Sequence, residues 1–316
     1  RRWFSDWDLT LWWWSWWTTA GSIILSGGHV TEISLNNNNI TGSIFSGLMG
    51  LPELTVLNLN SGYIWSIDLS YNTKLINLDL GNTQLSSVDL TQNIHLNYLN
   101  VASNNLTIID LSNNKVLETL SLENNDLSLI DLTQNTGLIS LSLANNSLTI
   151  LDIRNHSLLE TLQAYSNQLT WLFLSWNENL TYVMVYDNDL TYLDFGGMSN
   201  LDSFEAYNNQ LTGINISGSA ITYLDISNNQ LQNLDITHNL DLNEIYVSNN
   251  PLKGEWLFVA PAVDYGNLNY IDFYYNNICN LNWDLSGGND YSILDFFDNY
   301  WWSDYTDWQL CAPSSV

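Results

Sequence analysis

Positive charge is nearly missing from this chain. Its 316 residues hold 6 Lys and Arg against 33 Asp and Glu, a formal net charge of −27 at pH 7. Nucleic acid needs a basic surface to neutralise its phosphates, so that class of partner is excluded. Anionic lipid surfaces are disfavoured for the same reason. No apolar run reaches the roughly 18 residues of a spanning helix, so no membrane insertion is expected. Cysteine is almost as scarce. Cys279 and Cys311 stand alone near the C-terminus, too few for a zinc site and a candidate local disulfide in a secreted protein.

The usual catalytic constellations are absent as well. No phosphate-binding loop, metalloprotease helix or nucleophile elbow occurs. His29, His95, His156 and His238 are far apart in the sequence. His156 has Asp152 nearby but no Ser or Cys nucleophile set beside the pair. The sequence predicts no enzyme.

What the chain does have is repetition. An apolar-x-apolar phrase starts at Ile33, Leu57, Leu78, Leu99, Leu120, Leu141, Leu162, Val183, Phe204, Leu224, Ile245, Ile271 and Leu294. From Leu57 to Ile245 the step is 21 residues, with one step of 20 between Phe204 and Leu224. Alternating apolar residues make a short strand with one buried face. One coil cannot bury that face, so coils stack and share a core. An asparagine follows each strand, where the turning backbone needs donors and acceptors. The ladder comprises Asn38, Asn104, Asn125, Asn146, Asn167, Asn188, Asn209, Asn229, Asn250, Asn276 and Asn299, and Gly62 and Thr83 interrupt it.

The phrase recurs inside each coil, as in Ile109-Asp110-Leu111 and Ile130-Asp131-Leu132. A second ladder follows it at Asn72, Asn93, Asn114, Asn135, Asn177 and Asn239, with His156 in one of its slots. A half-period of 10 or 11 residues leaves no room for a returning helix. The expectation is a β-rich solenoid of about 13 coils, each with two strand-like faces and little helix.

Leu96-x-x-Leu99-x-Val101-x-x-Asn104-x-Leu106 carries the leucine-rich-repeat signature. Over residues 30–301 the chain resembles that family. The opening HVTEISLNNNNITGSI followed by LPELTVLNL is similar to the first repeat of plant-like and bacterial surface members. Phe45 stands where that repeat type has Pro, and the cysteine pair often found in its N-terminal cap is missing. The resemblance implies a leucine-rich-repeat solenoid and an interaction role, with no particular ligand. It divides the chain into a Trp-rich cap at 1–29, an array at 30–301 and a C-terminal cap or tail at 302–316.

Several outward series are candidate sites. On the first strand face, Tyr165, Tyr186 and Tyr207 are expected to stack as neighbours, bordered by Tyr182, Tyr223, Tyr246, Glu205 and Asp225. Such a surface suits a protein or a glycan partner; a purely structural tyrosine ladder is the alternative. The second arm presents Asp68, Asp89, Asp110, Asp131, Asp152, Asp194 and Asp235. Adjacent carboxylates about 5 Å apart in water repel by roughly 0.8 kcal/mol, which salt makes tolerable. A solvated face therefore needs no metal, and no cofactor is expected; calcium bridging of neighbouring coils is the competing reading.

Ile108, Leu129, Ile150, Trp171 and Tyr192 form an apolar series beside this column, offering a contact for a partner or for copies of the chain. Aromatic ends suit capping, and also head-to-tail assembly through residues such as Trp301 and Trp302. Asn39, Asn105, Asn145, Asn155, Asn179 and Asn215 match the N-glycosylation acceptor. Together these features predict a non-catalytic extracellular or cell-surface protein for interaction or adhesion. The alternative is the structural subunit of a self-assembling extracellular filament or sheath.

Overall fold

The computed structural model describes residues 21–35, 40–44, 48–236, 238–256, 270–272 and 276–281. Two compact units, Arg1–Gln168 and Leu169–Val316, divide the chain. Among the described residues there is no helix, and both units are built mainly from short parallel strands.

In the first unit, Ser22–Ser26 runs antiparallel to His29–Ser34. Val56–Asn58, Asn77–Asp79, Tyr98–Asn100, Thr119–Ser121, Ser140–Ser142 and Thr161–Gln163 then add in parallel, in that order. Ile33, Leu57, Leu78, Leu99, Leu120, Leu141 and Leu162 fall in register. In the second unit Tyr182–Met184, Ser203–Glu205, Tyr223–Asp225, Glu244–Tyr246 and Tyr270–Asp272 pair the same way, aligning Val183, Phe204, Leu224, Ile245 and Ile271. The regular stretch makes about ten turns. That corrects the count of thirteen: the steps loosen beyond Leu57 and Ile245, and Leu294 lies outside the described residues.

One coil shows how the sequence closes. Leu117, Leu120, Leu122, Leu127 and Leu132 are all buried, as is Leu138, which opens the next coil, each contributing about 1.5–3 kcal/mol through removal from water. Asn125 ends the strand and serves two coils. Its Nδ2 donates to Leu122 O in its own coil and to Val101 O in the coil before, both at 3.0 Å. Its Oδ1 accepts from Leu106 N at 3.0 Å. The pattern recurs at Asn104, Asn146, Asn167, Asn209, Asn229 and Asn250. Buried backbone groups stranded by the turn are thus satisfied by side chains. At the interruption, Thr83 bonds with Leu80 O and Asn104 Oδ1, both at 2.8 Å.

The residue just before each ladder asparagine is left-handed. From Ser103 to Asn249 its φ lies between 51° and 55° at Ser103, Asn124, Asn145, Ser166, Asp187, Asn208, Asn228 and Asn249. Asn and Asp tolerate that region better than other non-glycine residues, which explains the Asn-Asn doublets.

The second phrase makes a paired strand in only some coils, at Thr41–Ile44 with Tyr63–Ile67, Tyr192–Asp194 with Gly213–Asn215, and Lys253–Trp256 with Asn277–Leu281. Elsewhere the arm is extended without a ladder. Asp68, Asp89, Asp110, Asp131 and Asp152 each accept the backbone N–H two residues on, at 2.9–3.1 Å. That bond starts a turn and satisfies the N–H there; Asp194 accepts the same bond from Gly196 N at the end of a paired strand, so it is compatible with either arrangement. The second asparagine ladder then ties the arms. Asn93, Asn114 and Asn135 each donate Nδ2 to the backbone oxygen of the preceding ladder residue, at 2.8–2.9 Å. His156 occupies its slot buried, with Nε2 3.2 Å from Leu132 O. It is a turn residue.

Candidate functional site

Strand register makes the second unit's sheet face a checkerboard of tyrosine and carboxylate. Tyr182 is paired with Ser203, then Tyr223, Glu244 and Tyr270 in one row. Two residues on, the row runs Met184, Glu205, Asp225, Tyr246, Asp272. All these side chains alternate with buried Val183, Phe204, Leu224 and Ile245, so they point out of the sheet. They are half-buried because neighbours about 4.8 Å away crowd them.

The rings pack on each other. Tyr186 and Tyr207 stack with centroids 4.3 Å apart and planes 8° from parallel. Tyr246 lies 5.5 Å from Tyr223 and 5.0 Å from Tyr270, tilted against both. Tyr182 donates its hydroxyl to Glu205 Oε1 at 3.4 Å, and Tyr246 donates to Glu244 Oε2 at 3.1 Å. Burial, then neighbouring Tyr207 and carboxylates, raises the Tyr186 hydroxyl to about 12. Burial and Glu244 raise Tyr246 to about 12 as well.

The two central carboxylates are strained electrostatically. Glu205 and Asp225 face each other in register. Burial first, and then the charge of Asp225, pushes the Glu205 carboxyl above its ordinary range. Burial first, and then Asp272, does the same to Asp225, although Ser227 donates both N and Oγ to Asp225 Oδ1 at 3.0 and 2.7 Å. From Leu169 onward the sequence contains one Lys or Arg, Lys253. It lies on Lys253–Trp256, which belongs to a separate two-stranded sheet.

Tyr165, grouped with Tyr186 and Tyr207 in the sequence reading, belongs to the first unit. Its hydroxyl lies 3.5 Å from Glu123 Oε1. The first unit's sheet face is different in kind. A hollow of about 220 Å³ is lined by Val56, Asn58, Asn77, Asp79 and Tyr98. Its carboxylate is already engaged: Asp79 accepts from Gly81 N at 3.0 Å, Asn100 Nδ2 at 3.0 Å and Asn60 Nδ2 at 3.2 Å.

On the second arm, the first unit exposes Ile108, Leu129 and Ile150 at 65%, 60% and 55%. The second unit exposes Trp171 and Tyr192, together with Trp176 and with Phe173, which interrupts the Asp column. Trp171 and Phe173 touch, with centroids 5.1 Å apart. In the Asp column, turn hydrogen bonds hold Asp68, Asp89, Asp110 and Asp131 below the usual carboxylate range. Arg154, bonding through side chain and backbone, takes Asp152 to about 2. No group of three or more His, Cys, Asp or Glu placed to hold a metal occurs among the described residues.

Among the acceptor asparagines, Asn105, Asn155 and Asn179 are exposed and Asn145 is half-buried. Asn215 is engaged at both ends of its amide, donating to Asp194 Oδ1 at 2.8 Å and accepting from Ser217 N at 3.1 Å. Asn39, Trp301, Trp302 and Cys311 lie outside the described residues, and of Cys279 only the backbone is described.

Tyr270 and Asp272, outward by the sequence pattern, join the face in the structure together with Glu244, which the outward series did not include. The signal for Glu244 was available, since it occupies the same outward position as Tyr223.

These coils, with two asparagine ladders and a leucine core, define the leucine-rich-repeat fold. No family model and no curated protein sequence matches the chain. Solved structures do. A leucine-rich-repeat protein of Leptospira interrogans is 24% identical with a TM-score of 0.67, over 78% of this chain and 66% of that one. An internalin, InlF, of Listeria monocytogenes is 23% identical with a TM-score of 0.61, over 85% of this chain and 87% of its own. The plant peptide hormone receptor RGFR1, solved in complex with RGF2, is 22% identical with a TM-score of 0.67, over 78% of this chain and 44% of that chain. The chain thus spans just under two thirds of the Leptospira protein and less than half of the receptor. No described helix is long and apolar enough to cross a membrane.

Proposed function

We propose that this chain is a non-catalytic extracellular or cell-surface interaction module, used for binding or adhesion, whose second-unit sheet face receives an extended protein segment. One observation carries the reading. Five tyrosines (Tyr182, Tyr186, Tyr207, Tyr223 and Tyr246) stand half-buried and outward on neighbouring strands or just beyond their ends. Rigid amphipathic rings give contact area at small entropic cost, and tyrosine is enriched where interfaces concentrate their energy. The fold neighbour solved with a bound peptide hormone supports a peptide over a small molecule. Outward tyrosines and exposed acceptor asparagines support a location outside the cell. The exposed series Ile108, Leu129 and Ile150 supports a second reading, self-association into a filament.

The test is selection of displayed random peptides against the immobilised chain, followed by affinity measurement on variants. Binding should fall at least about tenfold for Tyr186→Ala/Tyr207→Ala and hold for Leu129→Ser/Ile150→Ser. Peptides indifferent to the tyrosine pair would move the site elsewhere. Sedimentation of the chain as a 36.0 kDa monomer at high concentration would remove the filament.

A further inference from the structure

Which partner fits this face follows from its charge and its flat rings. Glu205 and Asp225 are adjacent in register, with Glu244 one strand further on and Asp272 two. Like charges directly across a strand pair are destabilising. Both central carboxyls are also partly withdrawn from water, which is why burial is the largest cause raising each of them. Neutral donors reach both, Tyr182 to Glu205 and Ser227 to Asp225, but no cationic residue lies on the same strands: Lys253, the lone Lys or Arg after Gln168, is on a strand of another sheet. The free protein therefore carries an unfavourable charge arrangement that an incoming cation relieves. Asp79 in the first unit shows the contrast, with amide donors already around it.

The rings sharpen the choice of cation. Tyr182 and Tyr223 border Glu205 and Asp225, and Tyr246 is paired with Asp225. A guanidinium is planar, forks onto carboxylates and stacks on aromatic faces, whereas an ammonium offers a compact charge without the stack. We infer that this face binds an arginine-bearing basic peptide segment, its guanidinium seated over the Glu205–Asp225 pair between the rings of Tyr182, Tyr223 and Tyr246. The inference rests on the sheet face being the partner site and adds the chemistry of the partner. The net charge of −27 speeds the approach of such a segment without selecting the spot.

The experiment uses the full chain and two labelled peptides of equal length, one of alternating Gly and Arg and one of alternating Gly and Gln, in fluorescence anisotropy at about 50 mM salt. Three variants are compared: Glu205→Gln/Asp225→Asn, Asp110→Asn/Asp131→Asn, and Tyr186→Ala/Tyr207→Ala. The first keeps both acceptor oxygens, so Tyr182 and Ser227 retain their hydrogen bonds and the strands keep their register. The second removes the same net charge from the other arm of the first unit.

The Arg peptide should bind, the Gln peptide should not, and Glu205→Gln/Asp225→Asn should weaken binding by about tenfold or more. Asp110→Asn/Asp131→Asn should stay within about twofold of the parent, which separates a site from bulk attraction. Equal losses in those two variants overturn the inference. So does equal binding of the Gln peptide, and if that binding is still lost in Tyr186→Ala/Tyr207→Ala the face remains the site with a neutral partner. Arg-peptide binding that ignores both the carboxylate and the tyrosine variants overturns the sheet-face reading along with the inference.

Discussion

Replacing Asn125 by Asp changes the chemistry of one buried group and leaves its volume alone. The side chain, 7% exposed, donates through Nδ2 to Leu122 O and Val101 O and accepts through Oδ1 from Leu106 N. Aspartate keeps the acceptor and loses both donors. The two carbonyls are not left bare, because Asn146 and Asn104 also donate to Leu122 O and Val101 O, each at 3.0 Å. A protonated carboxyl restores one donor, so below about pH 4 the net loss is one hydrogen bond, about 1 kcal/mol. An ionised carboxylate instead sets negative charge against two carbonyl oxygens in a buried turn. Its folded pKa is therefore raised above the unfolded value of about 3.9. A raised folded pKa means stability that is present below the unfolded pKa and lost as pH rises through the folded one. At pH 7 the loss should reach about 3–5 kcal/mol. Urea unfolding followed by circular dichroism at about pH 4 and about pH 7.5 measures both. Asn124→Asp is the control: it is exposed and left-handed, and should cost under about 0.5 kcal/mol at either pH. A loss at Asn125 that is independent of pH, or matched by Asn124→Asp, refutes the ladder's donor role.

The Asp column should titrate in the opposite sense. Depressed carboxyls at Asp110 and Asp131 give stability that is present above an unfolded pKa of about 3.9 and lost as pH falls through the folded value. Melting of Asp110→Asn/Asp131→Asn should consequently fall less steeply with acid than that of the parent, and identical slopes would show the turn bonds are worthless to the fold. Expressed through a eukaryotic secretory pathway, the chain should carry glycan at exposed Asn105, Asn155 and Asn179 and little at Asn215, whose amide is bonded at both ends. Peptide mass spectrometry reads this directly, and equal occupancy at Asn215 and Asn105 contradicts it.

The leucine spacing made the main sheet legible before any coordinates. A 21-residue step that returns an apolar pair to one face leaves stacking as the only way to bury it. The second arm was harder. Ile130-Asp131-Leu132 has the same alternation as Leu120-Ser121-Leu122, and alternation alone cannot tell a laddered strand from an extended arm. Asp131 Oδ1 takes the N–H and the hydroxyl of Thr133, at 2.9 and 2.7 Å, and bends the chain. Ser121, in the corresponding place, lies in a paired strand. The Asx bond does not separate the two either, since Asp79 and Asp225 accept the N–H two residues on while lying in paired strands.

The sheet face was legible for a related reason and incomplete for another. Outward positions of a strand follow from period two, so Tyr186, Tyr207, Glu205 and Asp225 could be placed by counting. What counting could not supply was which carboxylates lack compensation. Asp79 and Asp225 occupy equivalent places in their coils, and both accept the backbone N–H two residues on. Around Asp79, Asn60 and Asn100 add amide donors from the coils on either side. Around Asp225 the flanking strands bring Glu205 and Tyr246 instead. The same repeat position is thus a satisfied structural group in one unit and an electrostatically loaded one in the other. Neighbouring coils decide the role, and a partner's cation has reason to settle on one coil among several that look alike in sequence.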